Sequence, residues 1–305
     1  MIRVGPLIAA SFAASLLFAQ ENIPGAGTPV SIVVSVEAKK NAPVPNFTKD
    51  DVLVSQNKQR LQVAGLTPVR DRGGLQLWLL IDEGTDEDVS LQFGDLRKFI
   101  LEQPATTQIG IGYIRDATIQ VVQPLTTDHE RAAKALRLPM GPPGISVSPY
   151  IALNDLIHQW PATGQAREVL MISSGIDPEY GPGPQDPYLD EAIDAAQRAD
   201  VVVYSIYYAG MGHFGHAYWQ VYWGQYNLSK LNDETGGEFY WEGFMNPVSF
   251  APYLDDLNRR LNNQYLLTFL ATPEKKPGFQ RIKLGTELPH VSLVGPAKVY
   301  VPAAQ

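Results

Sequence analysis

Five carboxylates fall within seven residues, at Asp82, Glu83, Asp86, Glu87 and Asp88. Carboxylate oxygens gathered on a loop can hold a hard divalent cation, and a cation with an open position can activate water. Without a cation such a cluster is tolerated where it is solvated. The stretch before the cluster decides where it sits. Leu75 to Ile81 reads LQLWLLI, an apolar run with almost no alternation, bounded by Gly73-Gly74 and Gly84. A run of that kind is a strand covered on both faces. A buried strand ending in acidic residues and followed by the helical pattern Ser90 to Gln103 places them at the carboxyl edge of an open α/β sheet, where such sheets present their sites.

The elements that must hold this edge follow in a regular rhythm. Strands are expected at Leu75–Asp82, Gln108–Ile114, Thr118–Pro124, Glu168–Ser173, Val201–Tyr208 and Glu238–Trp241, and helices at Ser90–Glu102, Asp128–Leu138, Pro149–Gln159, Leu189–Arg198, Asn227–Glu234 and Phe250–Asn263. Thr127-Asp128 and Pro149 supply helix start signals. Only Arg115-Asp116-Ala117 joins the second and third strands, which permits a hairpin and forbids a helical crossover, so one strand runs antiparallel. The β-type runs before Gly74 and after Gln264 cannot close a core alone, and the economical arrangement packs them together. The fold class is α/β: a Rossmann-like, doubly wound, mostly parallel six-stranded sheet over 75–264, beside a small β-domain built from 20–74 and 265–305.

Composition narrows the function. Met1 to Ala19 has a lone Arg3, an apolar stretch and a small-residue cut site, which reads as a signal peptide and implies export to the periplasm, cell surface or medium. No later segment is long and apolar enough to span a membrane. There is no cysteine, hence no disulfide or thiolate metal site. A formal charge of −8 and a pI near 5.2 argue against a nucleic-acid partner.

A strand ending in Asp82, an acidic glycine-containing loop, a hairpin, a serine at Ser148 in Ser148-Pro-Tyr-Ile-Ala-Leu, Trp160-Pro, then Arg167-Glu-Val-Leu-Met-Ile-Ser-Ser-Gly-Ile-Asp and Glu234-Thr-Gly-Gly-Glu occur in an order that resembles the von Willebrand factor type A fold. More narrowly it is similar to the bacterial exported proteins related to that factor. The resemblance covers roughly Leu75 to Gln264. It implies a divalent cation, magnesium or another, on the carboxyl edge. The ligands would come from Asp-x-Ser-x-Ser after the first strand, a threonine from a second loop and an aspartate after the fourth strand. Asp82 matches the first ligand, Gly84 and Asp86 replace the two serines, Ser148 replaces the threonine, and Ser174 stands in place of the final aspartate, with Asp177 three residues on. Two readings stay open. In one, Asp82, Asp86, Ser148 and Asp177 rebuild a metal site, with Glu83 and Ser174 among the ligand contacts. In the other the site is a relic, and the loss of two of the five ligand types weighs toward it.

Other signals carry less. Gly210-Met-Gly-His-Phe-Gly215 spells a dinucleotide fingerprint but follows the fifth strand rather than the first. The stretch 210–226 is read as a loop and holds Trp219 and Trp223 among its aromatics, which could form a recognition patch or a lid. His213 and His216 lack a third zinc ligand at a clear spacing. Ser173-Ser174-Gly175 lacks a nucleophile elbow. The expectation is therefore a non-enzymatic exported module that binds a protein or surface ligand at the carboxyl edge. The alternatives are a metal-assisted hydrolase using the same edge and a structural envelope component contacting partners through 210–226.

Overall fold

The computed structural model describes residues 27–39, 42–141, 148–180, 183–210 and 217–303. The expected signal segment at 1–19 and the histidines at 213 and 216 lie outside them. At the centre stands β5 (Leu75–Asp82), whose side chains from Leu75 to Ile81 are all buried. It pairs in parallel with β6 (Gln108–Arg115) on one side and β8 (Ala166–Ser173) on the other. Beyond β8 come β9 (Val201–Tyr207) and the two-residue β10 (Phe239–Tyr240), both parallel. Beyond β6 comes β7 (Thr118–Thr126), antiparallel. The sheet therefore has six strands in the order β10-β9-β8-β5-β6-β7. Asp116 and Ala117 turn the β6–β7 hairpin with φ of 49° and 56°, the left-handed pair that suits a two-residue turn between twisted strands.

Helices cover both faces, as a strand buried on both sides requires. On one face lie α1 (Phe93–Leu101), α2 (His129–Lys134) and α6 (Ala251–Asn262), meeting Leu77, Leu79 and Ile81 of β5. On the other lie α3 (Pro149–Gln159), α4 (Pro187–Ala199) and α5 (Tyr218–Thr235), meeting Trp78 and Leu80. Successive residues of β5 thus serve opposite cores, the period-two alternation of a strand. The strand order reverses between β5 and β8, so the crevice at their carboxyl ends is the switch point at which open α/β sheets carry their sites.

The chain ends meet in two further four-stranded sheets. One has the order β13-β1-β11-β4, from β1 (Thr28–Ala38), β4 (Val63–Pro68), β11 (Gln264–Ala271) and β13 (Val291–Val294). The other has β14-β12-β2-β3, from β2 (Val52–Gln56), β3 (Gln59–Arg60), β12 (Gly278–Thr286) and β14 (Lys298–Val301). They share a core that includes Val34, Val36, Val54, Phe269 and Val301. Arg260 of α6 joins this sandwich to the α/β unit: it pairs with Glu37 of β1, with Glu238 at 2.6 Å and with Asp256 at 2.8 Å.

Two helices depart from the expected pattern. The helix expected over Asp128–Leu138 stops at Lys134, and the chain beyond it serves Glu83, as described below. The stretch read as a loop up to Tyr226 is helical from Tyr218, so α5 has eighteen residues and includes both Trp219 and Trp223. The N-cap Ala217 has no side-chain oxygen to offer, and the side-chain bond at its start is a long one from the Ala217 amide to Gln220 Oε1 at 3.4 Å. It is held mainly by the burial of one face, through Val221, Gly224, Leu228 and Leu231, which is how most helices in proteins gain their stability.

Candidate functional site

The strand-end aspartate sits in the crevice as expected, with its carboxylate occupied by the protein itself. Asp82 Oδ1 accepts from the Gly84 amide at 2.9 Å, and Oδ2 accepts from the Ser173 hydroxyl at 2.7 Å. Ser173 in turn accepts from the Gly175 amide at 3.0 Å. Burial raises the Asp82 pKa, and the hydrogen bonds from Ser173 and Gly84 oppose that shift. The residue that reaches Asp82 is Ser173, one position before the serine expected there. Ser173 shares a sheet face with Val169 and Met171, the face to which Trp78, Leu80 and Asp82 also belong.

Glu83 is not on the exposed edge, and its expected role in ligand contact is corrected. Its amide donates to Ile114 O at 3.1 Å, which continues the strand one residue and turns the side chain to the opposite face. There it is fully buried. Arg137 donates to its Oε1 at 2.5 Å and the Met140 amide donates to Oε2. The guanidinium lies 3.8 Å from the centre of the Tyr113 ring, and the Tyr113 hydroxyl bonds the Arg137 backbone. A buried carboxylate with one fixed cation and a backbone donor is a structural lock on 137–140.

The remaining expected ligands also serve the backbone. Asp86 starts the short 3-10 turn Glu87–Gln92, accepting from the Asp88 amide at 3.4 Å, and its own amide donates to Ala209 O at 2.9 Å. Ser148 is fully buried as the N-cap of α3, accepting from the Tyr150 amide at 3.3 Å. The residues before it, 142–147, fall outside the described set. Ser174 is buried, with its hydroxyl 3.5 Å from the Ile176 amide. Asp177 bends back over its own loop, accepting from the Glu179 and Tyr180 amides at 2.8 and 3.1 Å. Among the described residues no three Asp, Glu or His side chains converge on a point that could hold a metal ion. Asp82, Asp86 and Asp177 belong to no such group among the described residues.

The loop after β8 is fixed by two neighbours. The Tyr150 hydroxyl donates to Gly175 O at 2.7 Å. Gly175, at φ 68°, packs on Gly224 of α5, and a Cβ on Gly224 would lie 2.1 Å from Ser174 O. This glycine contact brings α5 against the carboxyl edge and turns its other face outward. Tyr218 and Trp219 are 71 % and 49 % exposed, Tyr222 and Tyr226 are exposed as well, and Trp223 is half-buried between them with ring centres 5.1 and 5.5 Å away. The chain after β10 continues the same surface. Phe244 meets Tyr218 at 5.3 Å, Trp241 stacks on Phe239 at 6.3 Å, and Gln225 donates to Gly243 O.

A mostly parallel six-stranded sheet in this order, with the antiparallel hairpin strand at one edge and three helices on each face, has the architecture of the von Willebrand factor type A domain. No protein-family model and no curated protein matches the chain. Similar solved structures include an aerotolerance-related membrane protein from Bacteroides fragilis (12 % identity, 62 % of this chain and 99 % of that one, TM-score 0.43). Another is BatB from Bacteroides thetaiotaomicron (13 %, 62 % and 97 %, 0.44). A third is proximal thread matrix protein 1 from the mussel byssus with a zinc-occupied MIDAS motif (11 %, 64 % and 47 %, 0.45). These likenesses add nothing to what the strand order states by itself. Among the described residues no helix is long and apolar enough to cross a membrane.

Proposed function

We propose that the chain is a non-enzymatic interaction module that takes a protein partner on the aromatic surface of α5 and the 241–248 segment, beside the carboxyl edge of its sheet. The observation that carries this reading is the clustering of exposed apolar area. Of fifteen large hydrophobic side chains exposed among the described residues, eight lie here: Tyr218, Trp219, Tyr222, Tyr226, Trp241, Phe244, Met245 and Val248. Contiguous exposed apolar surface marks interaction sites, and Tyr and Trp are the side chains that most often dominate their energetics. The carboxyl edge contributes position rather than ligands, since both Asp82 oxygens are bonded internally. Binding on this reading needs no cation at Asp82. The signal-like composition of Met1–Ala19 adds the proposal that binding takes place outside the cytoplasm.

The test is capture of envelope and extracellular proteins by the purified chain carrying a photo-crosslinker at position 222, followed by affinity measurement on the captured partner. Trp219→Ser with Trp241→Ser should weaken binding by tenfold or more while leaving the unfolding midpoint within about a degree, since both side chains are half-exposed. Asp82→Ala should leave affinity unchanged. Loss of binding in Asp82→Ala with the tryptophan variant unaffected would move the site to the strand edge and refute the proposal.

A further inference from the structure

Behind the outer face of α5 a group of polar atoms is left unsatisfied inside the protein. Asp177, in the loop after β8, and Asp186, at the head of α4, are 3 % and 2 % exposed. Each gives one oxygen to the backbone: Asp177 Oδ1 to Glu179 and Tyr180, and Asp186 Oδ1 to the Leu189 amide at 3.0 Å. The other oxygen of each, Oδ2, is shut off from solvent and receives no hydrogen bond. The two carboxyl groups are within hydrogen-bonding reach of each other. Besides burial, the largest influences on Asp186 are the Leu189 and Tyr188 amides and Asp177.

A third oxygen comes from an independent element. Asn227 of α5 is 4 % exposed, and its Oδ1 has no partner. It lies beside the Tyr150 hydroxyl, whose own proton goes to Gly175 O. Burial first, then the charges of Asp186, Asp177 and Asp82, hold the pKa of that hydroxyl well above the ordinary tyrosine value. The neighbourhood of one tyrosine hydroxyl therefore holds three acceptor oxygens that lack donors, two of them on carboxylates. Unmatched acceptors of this kind cost free energy when buried, and two like charges in contact need a proton or a cation between them. A buried, anionic, all-oxygen donor set is what a hard cation takes.

We propose that Asp177, Asp186 and Asn227 form a site for a hard divalent cation, joining the loop after β8 to α4 and α5. Two formal negative charges match one divalent ion. The strand end supplies no ligand to it, since both Asp82 oxygens are bonded to Gly84 and Ser173 and the Ser148 hydroxyl caps α3. A cation there fastens the inner face of the helix that displays the aromatic surface. The proposal stands independently of that surface, because the measurements below do not involve a partner.

The experiment is thermal unfolding of the chelator-treated chain with magnesium, calcium or manganese, beside a titration with terbium as a luminescent hard-cation probe excited through tyrosine. At a hundredfold excess over Kd, at least one ion should raise the midpoint by about 5 °C. Terbium should saturate at one equivalent. Both responses should persist in Asp82→Ala and disappear in Asp186→Asn, a variant that keeps an N-cap side chain for α4 and so retains the fold. No response to any ion in the wild type would overturn the site and leave the two acids sharing a proton. A response that survives Asp186→Asn, or that Asp82→Ala abolishes, would place the ion elsewhere and overturn it equally.

Discussion

Glu168 offers the sharpest test of how charge is handled between the sheet and the terminal strands. It lies on β8 beside Leu77 and Val202, is fully buried, and faces the core on the side of Tyr204 and Gln264. Neither carboxyl oxygen receives a well-formed hydrogen bond. Burial pushes its pKa up to about 8, with the Gln264 side chain opposing the shift and Asp200 adding to it. The unfolded chain releases this proton near the ordinary value of 4.5. Below that pH both states hold the proton, and Glu168 contributes no pH dependence. Between 4.5 and about 8 only the folded state holds it, so stability falls by about 1.4 kcal/mol per pH unit. The loss levels off once the folded state also ionises, at a total on the order of 5 kcal/mol. Glu168→Gln keeps the shape and stays neutral. Urea unfolding of both proteins from pH 4 to 9 should give similar stabilities at the acid end and a difference that widens toward pH 8 in favour of the variant. A difference that stays flat across that window would show that Glu168 is not a proton-holding group in the folded state and would refute the reasoning.

Three further outcomes follow from contacts already described, beside the tryptophan test of the aromatic surface. Arg137→Leu strands the buried Glu83 carboxylate and should cost about 3–5 kcal/mol in chemical denaturation; adding Glu83→Leu should recover much of that loss. Gly224→Ala drives a methyl group into the Ser174 carbonyl, and its expected cost of about 1–3 kcal/mol, typical of overpacking, is measurable by the same method. Asp186→Asn should remove any divalent-ion stabilisation while leaving α4 capped, as read by thermal shift.

Much of the framework was legible because it rests on strong local signals. The unbroken apolar run Leu75–Ile81 can be satisfied only by cover on both faces, and the three-residue link Arg115-Asp116-Ala117 is too short for a crossover. The start of α5 was hidden for the opposite reason. Tyr218, Trp219, Tyr222 and Trp223 have modest helix preference and no capping residue before them, and the helix forms because Gly224 and Leu228 dock on the loop after β8. In the site, parity would have separated Glu83 from Asp82 and selected Ser173 over Ser174, since neighbouring strand residues face opposite cores. Asp177 was legible only as a candidate ligand of the strand end, and Asp186 and Asn227 gave no signal. They come from three elements with unrelated spacing, and only the packing of α4 and α5 brings them together.

The carboxyl edge shows why residue types alone could not decide its chemistry. Asp82 stands where the resemblance implies a cation ligand, yet its oxygens are bonded to Gly84 and Ser173, both within the crevice. A ligand there would have to displace those bonds as well as its own hydration. Asp86 and Ser148 are likewise bonded to nearby backbone amides. The acceptors that remain without donors lie deeper, on Asp177, Asp186 and Asn227, around Tyr150. Unsatisfied buried oxygens are the stronger indication of an ion, because a satisfied carboxylate gains little from one and an orphaned pair gains much. By that measure the strand end is tied together by its own hydrogen bonds from Gly84 and Ser173 to Asp82. The proposed cation site lies behind α5, the helix whose outer face carries the aromatic surface.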